Sequence, residues 1–147
     1  MKRSTRLAPV LKVADLEAKK AARAVAFMHQ RLEAEQQKLQ QLQQYQREYH
    51  NKVVQDGQAG ISVSRLQMVS RFSSSIERAM VQQGQQIETV RRQYEDVRSQ
   101  WRERDLRHRQ LEKMLDRIRQ VETGQQQRQE QRNHDEYARR GARKAWD

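Results

Sequence analysis

The sequence predicts an all-α fold: two long helices forming an antiparallel coiled-coil hairpin. Three observations predict it. The composition favours helix but offers little material for a globular core, with 35% hydrophobic, 5% aromatic and 33% charged residues and a mean hydropathy of -1.22. Twenty-four of the 147 residues are glutamine, and Gln, Glu, Lys, Arg, Ala and Leu all form helices readily. The other two observations are a pair of long apolar series with helical spacing and the glycine-bracketed segment between them.

The first series steps by alternate fours and threes through Leu7, Leu11, Ala14, Ala18, Ala21, Val25, Met28, Leu32, Glu35, Leu39, Leu42, Gln46, Tyr49 and Val53. Twelve of these fourteen positions are apolar, counting tyrosine, so a heptad seam runs for more than six repeats. It predicts a helix over about 5–54. Ser4 or Thr5 is available as its cap, and Pro9 is expected in the first turn, where proline is tolerated. The seam stops at QDGQAGISVS, a turn over about 55–61 in which Gly57 and Gly60 flank a polar step. Ser62 or Ser64 can cap the second helix.

The second series runs Val69, Phe72, Ile76, Ala79, Gln83, Ile87, Val90, Tyr94, Val97, Trp101, Arg104, His108, Leu111, Leu115 and Ile118, twelve of fifteen apolar. It predicts a helix over about 62–122. Two consecutive fours at 79–83–87 form a stutter, which locally relaxes a left-handed supercoil. Folding the helices back about residue 58 or 59 brings together residues whose numbers total about 117. The paired helices, about 50 residues each, would be about 75 Å long. Residues beyond about 113 would overhang helix 1. Gly124 and QQQRQEQR weaken the pattern further, so about 125–147 is expected to be frayed or disordered. The whole chain, 1–147, reads as one coiled-coil rod.

Charge follows the same map. Of the formal net charge of +11, residues 1–31 carry eight Lys/Arg against two acids, residues 100–147 thirteen against nine, and residues 32–99 nine against eight. The hairpin therefore has a basic open end and a near-neutral arm. Cysteine is absent, which excludes disulfides and thiolate metal sites. Asp15 and Glu17 interrupt the N-terminal stretch before a secretory apolar core forms, and no window is apolar enough to span a membrane. His29, His50, His108 and His134 lack metal-ligand spacing, and DGQAG lacks the lysine and hydroxyl of a phosphate loop. The expectation is a non-enzyme with no cofactor and no metal. Three basic regions, MKRSTR, RDLRHRQ and ARRGARK, point toward nucleic acid, but Glu103, Asp105, Glu112 and Asp116 are interleaved with the Lys/Arg and there is no aromatic platform for bases; an acidic protein surface is at least as good a match, and a membrane surface a weaker one. Arg104 and His108 admit two readings: a seam opening to solvent, or a polar contact that fixes register.

The stretch QQLQQYQREYH, residues 40–50, places Leu42 and Tyr49 on the seam and Tyr45 on its rim. Tyr45 is expected to face Phe72, Leu42 to face Ile76, and Lys38 to face Ala79. Two readings are open: a partner site near the middle of the rod, or packing at its rim.

Read in order, YQREY, the S-R…F…I-x-x-A run from Ser64 to Ala79, QWRER around Trp101 and HDEYARR near the C-terminus resemble the FliJ family of the bacterial flagellar type III export apparatus. The resemblance spans nearly the whole chain. It implies an antiparallel coiled coil similar to the central stalk (γ subunit) of rotary ATP synthases. It implies insertion of the open end into the hexameric export ATPase, promoting its assembly and activity. It further implies contact with the cytosolic domain of the export-gate membrane protein and binding of export chaperones. Such a protein is expected in the cytoplasm at the flagellar basal body, meeting the membrane only through partners. Carried onto this sequence, the gate surface comprises Leu42, Tyr45, Tyr49, Phe72, Ile76 and Ala79. Where the family can show a histidine at the end of that surface, this chain has Gln83. The ATPase contact is regional: Arg3, Leu7, Lys12, Lys19, Arg23, Arg117 and Arg119. The alternative reading is a nucleic-acid-associated or general scaffold coiled coil.

Overall fold

A computed structural model describes residues 1–146 and contains two helices, α1 (Arg3–Gly57) and α2 (Val63–Trp146), with no strand among the described residues. Local chemistry sets the turn. Gly60 adopts φ +94°, a left-handed conformation that strains residues with a side chain, and its N–H donates to the Gly57 carbonyl at 3.1 Å. Ser62 is the cap of α2: its Oγ accepts from the Arg65 N–H at 3.2 Å, satisfying one of the orphan donors of the first turn. The Arg65 guanidinium then reaches back to Asp56 at 3.0 Å, linking the last turn of α1 to the first of α2.

The chain divides into two compact units, Lys20–Trp101 and Met1–Lys19 with Arg102–Asp147. In each, α1 and α2 run antiparallel, as the order of facing pairs shows. Within Lys20–Trp101, Tyr45 meets Phe72, Glu35 meets Gln83 and His29 meets Tyr94. Within the terminal unit, Glu17 meets Arg104, Asp15 meets His108 and Ser4 meets Glu122. All fourteen positions of the first apolar series are buried or half-buried. The most deeply buried apolar groups are Met28, Ile76, Ile87 and Val90 in the first unit, and Ala14, Ala18 and Leu115 in the terminal unit.

The structure corrects several sequence expectations. Arg104 is exposed and Asp105 half-buried, so the α2 stripe steps from Trp101 to Asp105 and on to His108. A long guanidinium gains more by reaching solvent and the Glu17 carboxylate, 2.8 Å away, than by entering an apolar stripe. Because α1 begins at Arg3, Pro9 lies in the second turn, where it removes the N–H that would bond the Thr5 carbonyl. Both residues are exposed, which leaves that carbonyl open to water. Pairing also extends beyond residue 113, because the Glu122 carboxylate satisfies N-terminal donors of α1.

The predicted end of helix 2 near 122 is likewise corrected, since α2 continues to Trp146. Every residue from Gln125 to Trp146 is exposed, so no packing holds this stretch. Its support is local: i,i+4 bonds join Gln126 to Glu130, Gln129 to Asn133, Gln131 to Asp135 and Arg140 to Glu136 in a segment of strong helix formers. No helix of the described residues is long and apolar enough to cross a membrane.

Candidate docking surfaces

The first surface is built on Lys20–Trp101. Tyr45 and Tyr49 stand one helical turn apart on α1, and Phe72 of α2 sits against both. The Tyr49 and Phe72 rings lie 4.2 Å apart, centroid to centroid, tilted by 53°. Tyr45 meets Phe72 edge-on at 5.8 Å and 69°, an arrangement that sets a positive ring edge against a negative face. Tyr49 and Phe72 are half-buried, whereas Tyr45 remains 52% exposed. Leu42 and Ala79 are half-buried beside them; Ile76, at 5% exposure, packs underneath and presents almost nothing to a partner. The six residues thus form an exposed tyrosine on a supported aromatic–aliphatic base.

Beyond Ala79 the surface becomes polar. A groove of about 570 Å³ runs between Leu42 and Ala79 and the side-chain amides of Gln82, Gln83, Gln85 and Gln86. Gln83 is already engaged: its Nε2 donates to Glu35 Oε2 at 2.6 Å and to the Glu35 carbonyl at 2.9 Å. Lys38 Nζ donates to the other carboxylate oxygen at 3.3 Å. The Gln83 amide, helped by Lys38, holds the Glu35 carboxyl below its ordinary value of 4.5 against the opposing effect of burial. Sequence reasoning placed both residues on the seam as polar exceptions without pairing them. The available signal was that their numbers nearly satisfy the facing rule.

The second surface belongs to the terminal unit. Arg3, Lys12, Arg117 and Arg119 are exposed, and among the described residues none has a carboxylate within salt-bridge distance. Lys19 is paired with Asp15 at 3.0 Å, and Leu7 is half-buried on the seam. Arg23 is exposed and lies in the other unit, Lys20–Trp101. Ser4 was expected as a possible cap but acts as a donor: its N–H and Oγ both donate to Glu122, at 3.1 and 2.5 Å. Those bonds, the Oγ donation foremost, hold the Glu122 carboxyl below 4.5. A carboxylate at this position also complements the positive end of the α1 dipole. His108 is half-buried, with Nε2 3.6 Å from Asp15 and Nδ1 4.0 Å from Glu112. No cluster of metal-ligating side chains occurs among the described residues.

Comparison with known proteins fits this architecture. The sequence profile described as "Flagellar FliJ protein" matches residues 1–145. A curated protein from Escherichia coli (strain K12), "Flagellar FliJ protein", is 28% identical over 136 residues, covering 92% of each chain. No solved structure gives a significant match. Given a match along essentially its whole length and a hairpin with the expected seam, the chain belongs to the FliJ family of flagellar proteins.

Proposed function

We propose that this chain is a non-enzymatic component of flagellar type III protein export that links two partners through separate surfaces. The basic terminal segments engage the hexameric export ATPase and promote its assembly and activity, as a stalk does in a rotary ATPase. The Tyr45–Phe72 surface contacts the cytosolic domain of the export-gate membrane protein, and export chaperones also bind the chain. The protein then works at the cytoplasmic face of the basal body and meets the membrane only through its partners.

The observation that carries this reading is the exposed Tyr45 ring held edge-on by Phe72. A pre-positioned aromatic anchor loses little conformational freedom on binding, and aromatic residues dominate the energetics of protein interfaces. Exposed Arg3, Lys12, Arg117 and Arg119, with no carboxylate at salt-bridge distance among the described residues, add a positive field suited to an acidic partner.

The test is binding of purified export-gate cytosolic domain to the Tyr45→Ala/Phe72→Ala variant, with helicity monitored by circular dichroism. The reading predicts a loss of at least about tenfold in gate affinity, while ATPase stimulation survives. Gate affinity equal to that of the parent chain would remove the surface from the proposal. Joint loss of both activities together with helicity would mean that the two rings hold the fold instead.

A further inference from the structure

Glu35 is 8% exposed in the middle of an apolar seam, where an unpaired carboxylate would be strongly unfavourable. Gln83 resolves this with two hydrogen bonds from one nitrogen, and Lys38 adds a third bond at the rim. Gln83 is also the pivot of the 79–83–87 stutter, the point at which regular knobs-into-holes packing is interrupted. Within Lys20–Trp101, the turn-end Arg65–Asp56 contact is the other side-chain bond joining α1 to α2 among the described residues, and both its partners are exposed.

We infer that the Glu35–Gln83 pair fixes the register of α1 against α2 and restricts which helix α1 accepts as a partner. Apolar seam residues discriminate poorly, because Leu32, Leu39, Leu42, Ile76 and Ile87 would pack acceptably in any heptad-shifted pairing. The polar pair does discriminate. Sliding α2 by one heptad toward a longer turn brings Glu35 opposite the fully buried Val90 and Gln83 opposite Leu42. Both then lose their partners, and a carboxylate is stranded among apolar side chains. Parallel pairing of α1 with α1 of a second copy sets Glu35 against Glu35, two like charges on one seam. Polar residues at single seam positions act this way in coiled coils, lowering stability while selecting register and partner.

Disulfide trapping tests the inference, because the chain contains no cysteine of its own. Tyr45→Cys/Phe72→Cys reports the native register and Tyr45→Cys/Ala79→Cys reports the slipped one. With Glu35 and Gln83 intact, only the first pair should close. In a Glu35→Leu/Gln83→Leu background the slipped link should rise at least tenfold, accompanied by a higher melting temperature and by dimers in sedimentation. Glu35→Gln, which keeps a hydrogen-bonding group on the seam, should preserve the native link alone. Retention of the native link only, in a monomeric Leu/Leu chain, would overturn the inference. So would loss of helicity in that chain, because the pair would then supply stability and not selectivity.

Discussion

Replacing Leu115 with alanine tests whether the seam residues of the terminal unit stabilise the fold by burial. Leu115 is 1% exposed, whereas Met114, its neighbour in sequence, is 37% exposed on the flank of the same helix. Leu115→Ala removes three buried carbons, each contributing about 0.8 kcal/mol, or about 2.4 kcal/mol of lost transfer free energy. A cavity contribution brings the total to about 3 kcal/mol, near the low end for buried leucines, because a seam one layer deep lets its neighbours close in. Met114→Ala should cost under about 0.7 kcal/mol, since both residues form helices well and little area is re-exposed. For a chain of this size, about 3 kcal/mol amounts to a melting shift of about 6–12 °C for Leu115→Ala. Urea titration followed by circular dichroism at 222 nm reads both variants on one scale. Equal destabilisation by the two substitutions would refute the assignment of Leu115 to a buried seam.

Two further outcomes are expected from the same geometry. Glu35 and Glu122 both have folded pKa values below the ordinary 4.5, so their hydrogen bonds contribute stability that is fully present above that pH. The contribution is lost as pH falls through the lowered folded values. Melting temperature should therefore hold steady from neutral pH to about 5 and drop below about 4.5, and Glu35→Gln/Glu122→Gln should flatten the drop. Truncation after Gly124 should leave the melting temperature within about 2 °C of the parent, because every residue from Gln125 to Trp146 is exposed. Most of the helical signal of the removed segment should go with it; a large fall in melting temperature would reveal packing on that segment.

The hairpin was legible in the sequence because a two-helix seam has one strong determinant, the three–four apolar step, and the described structure buries or half-buries the first series at every position. The Tyr45–Phe72 contact was legible for a related reason: it lies close enough to the turn for pairing to be extrapolated from Gly57 and Gly60. Arg104 was misplaced because stepping by three from Trp101 counts a residue without regard to whether its side chain can leave the stripe. Asp105, one position on, was the half-buried alternative. The continuation of α2 past 122 was not visible in the periodicity, because Gln125–Trp146 has no apolar stripe and is helical through propensity and i,i+4 bonds alone. Periodicity marks polar residues only as interruptions; the facing rule pairs Glu35 with Gln83 but not Ser4 with Glu122, whose numbers total 126 against the expected value of about 117.

On the proposed function, this chain acts on the export ATPase through its basic terminal segments. The direct measurement is ATP hydrolysis by the purified export ATPase as the chain is added, with hexamer formation followed in parallel. Stimulation with hexamer assembly is expected, reduced when Arg3, Lys12, Arg117 and Arg119 are changed together to alanine and retained in the Tyr45→Ala/Phe72→Ala variant. No stimulation, together with tight and strongly salt-dependent binding to duplex DNA, would contradict it and favour a nucleic-acid-associated coiled coil.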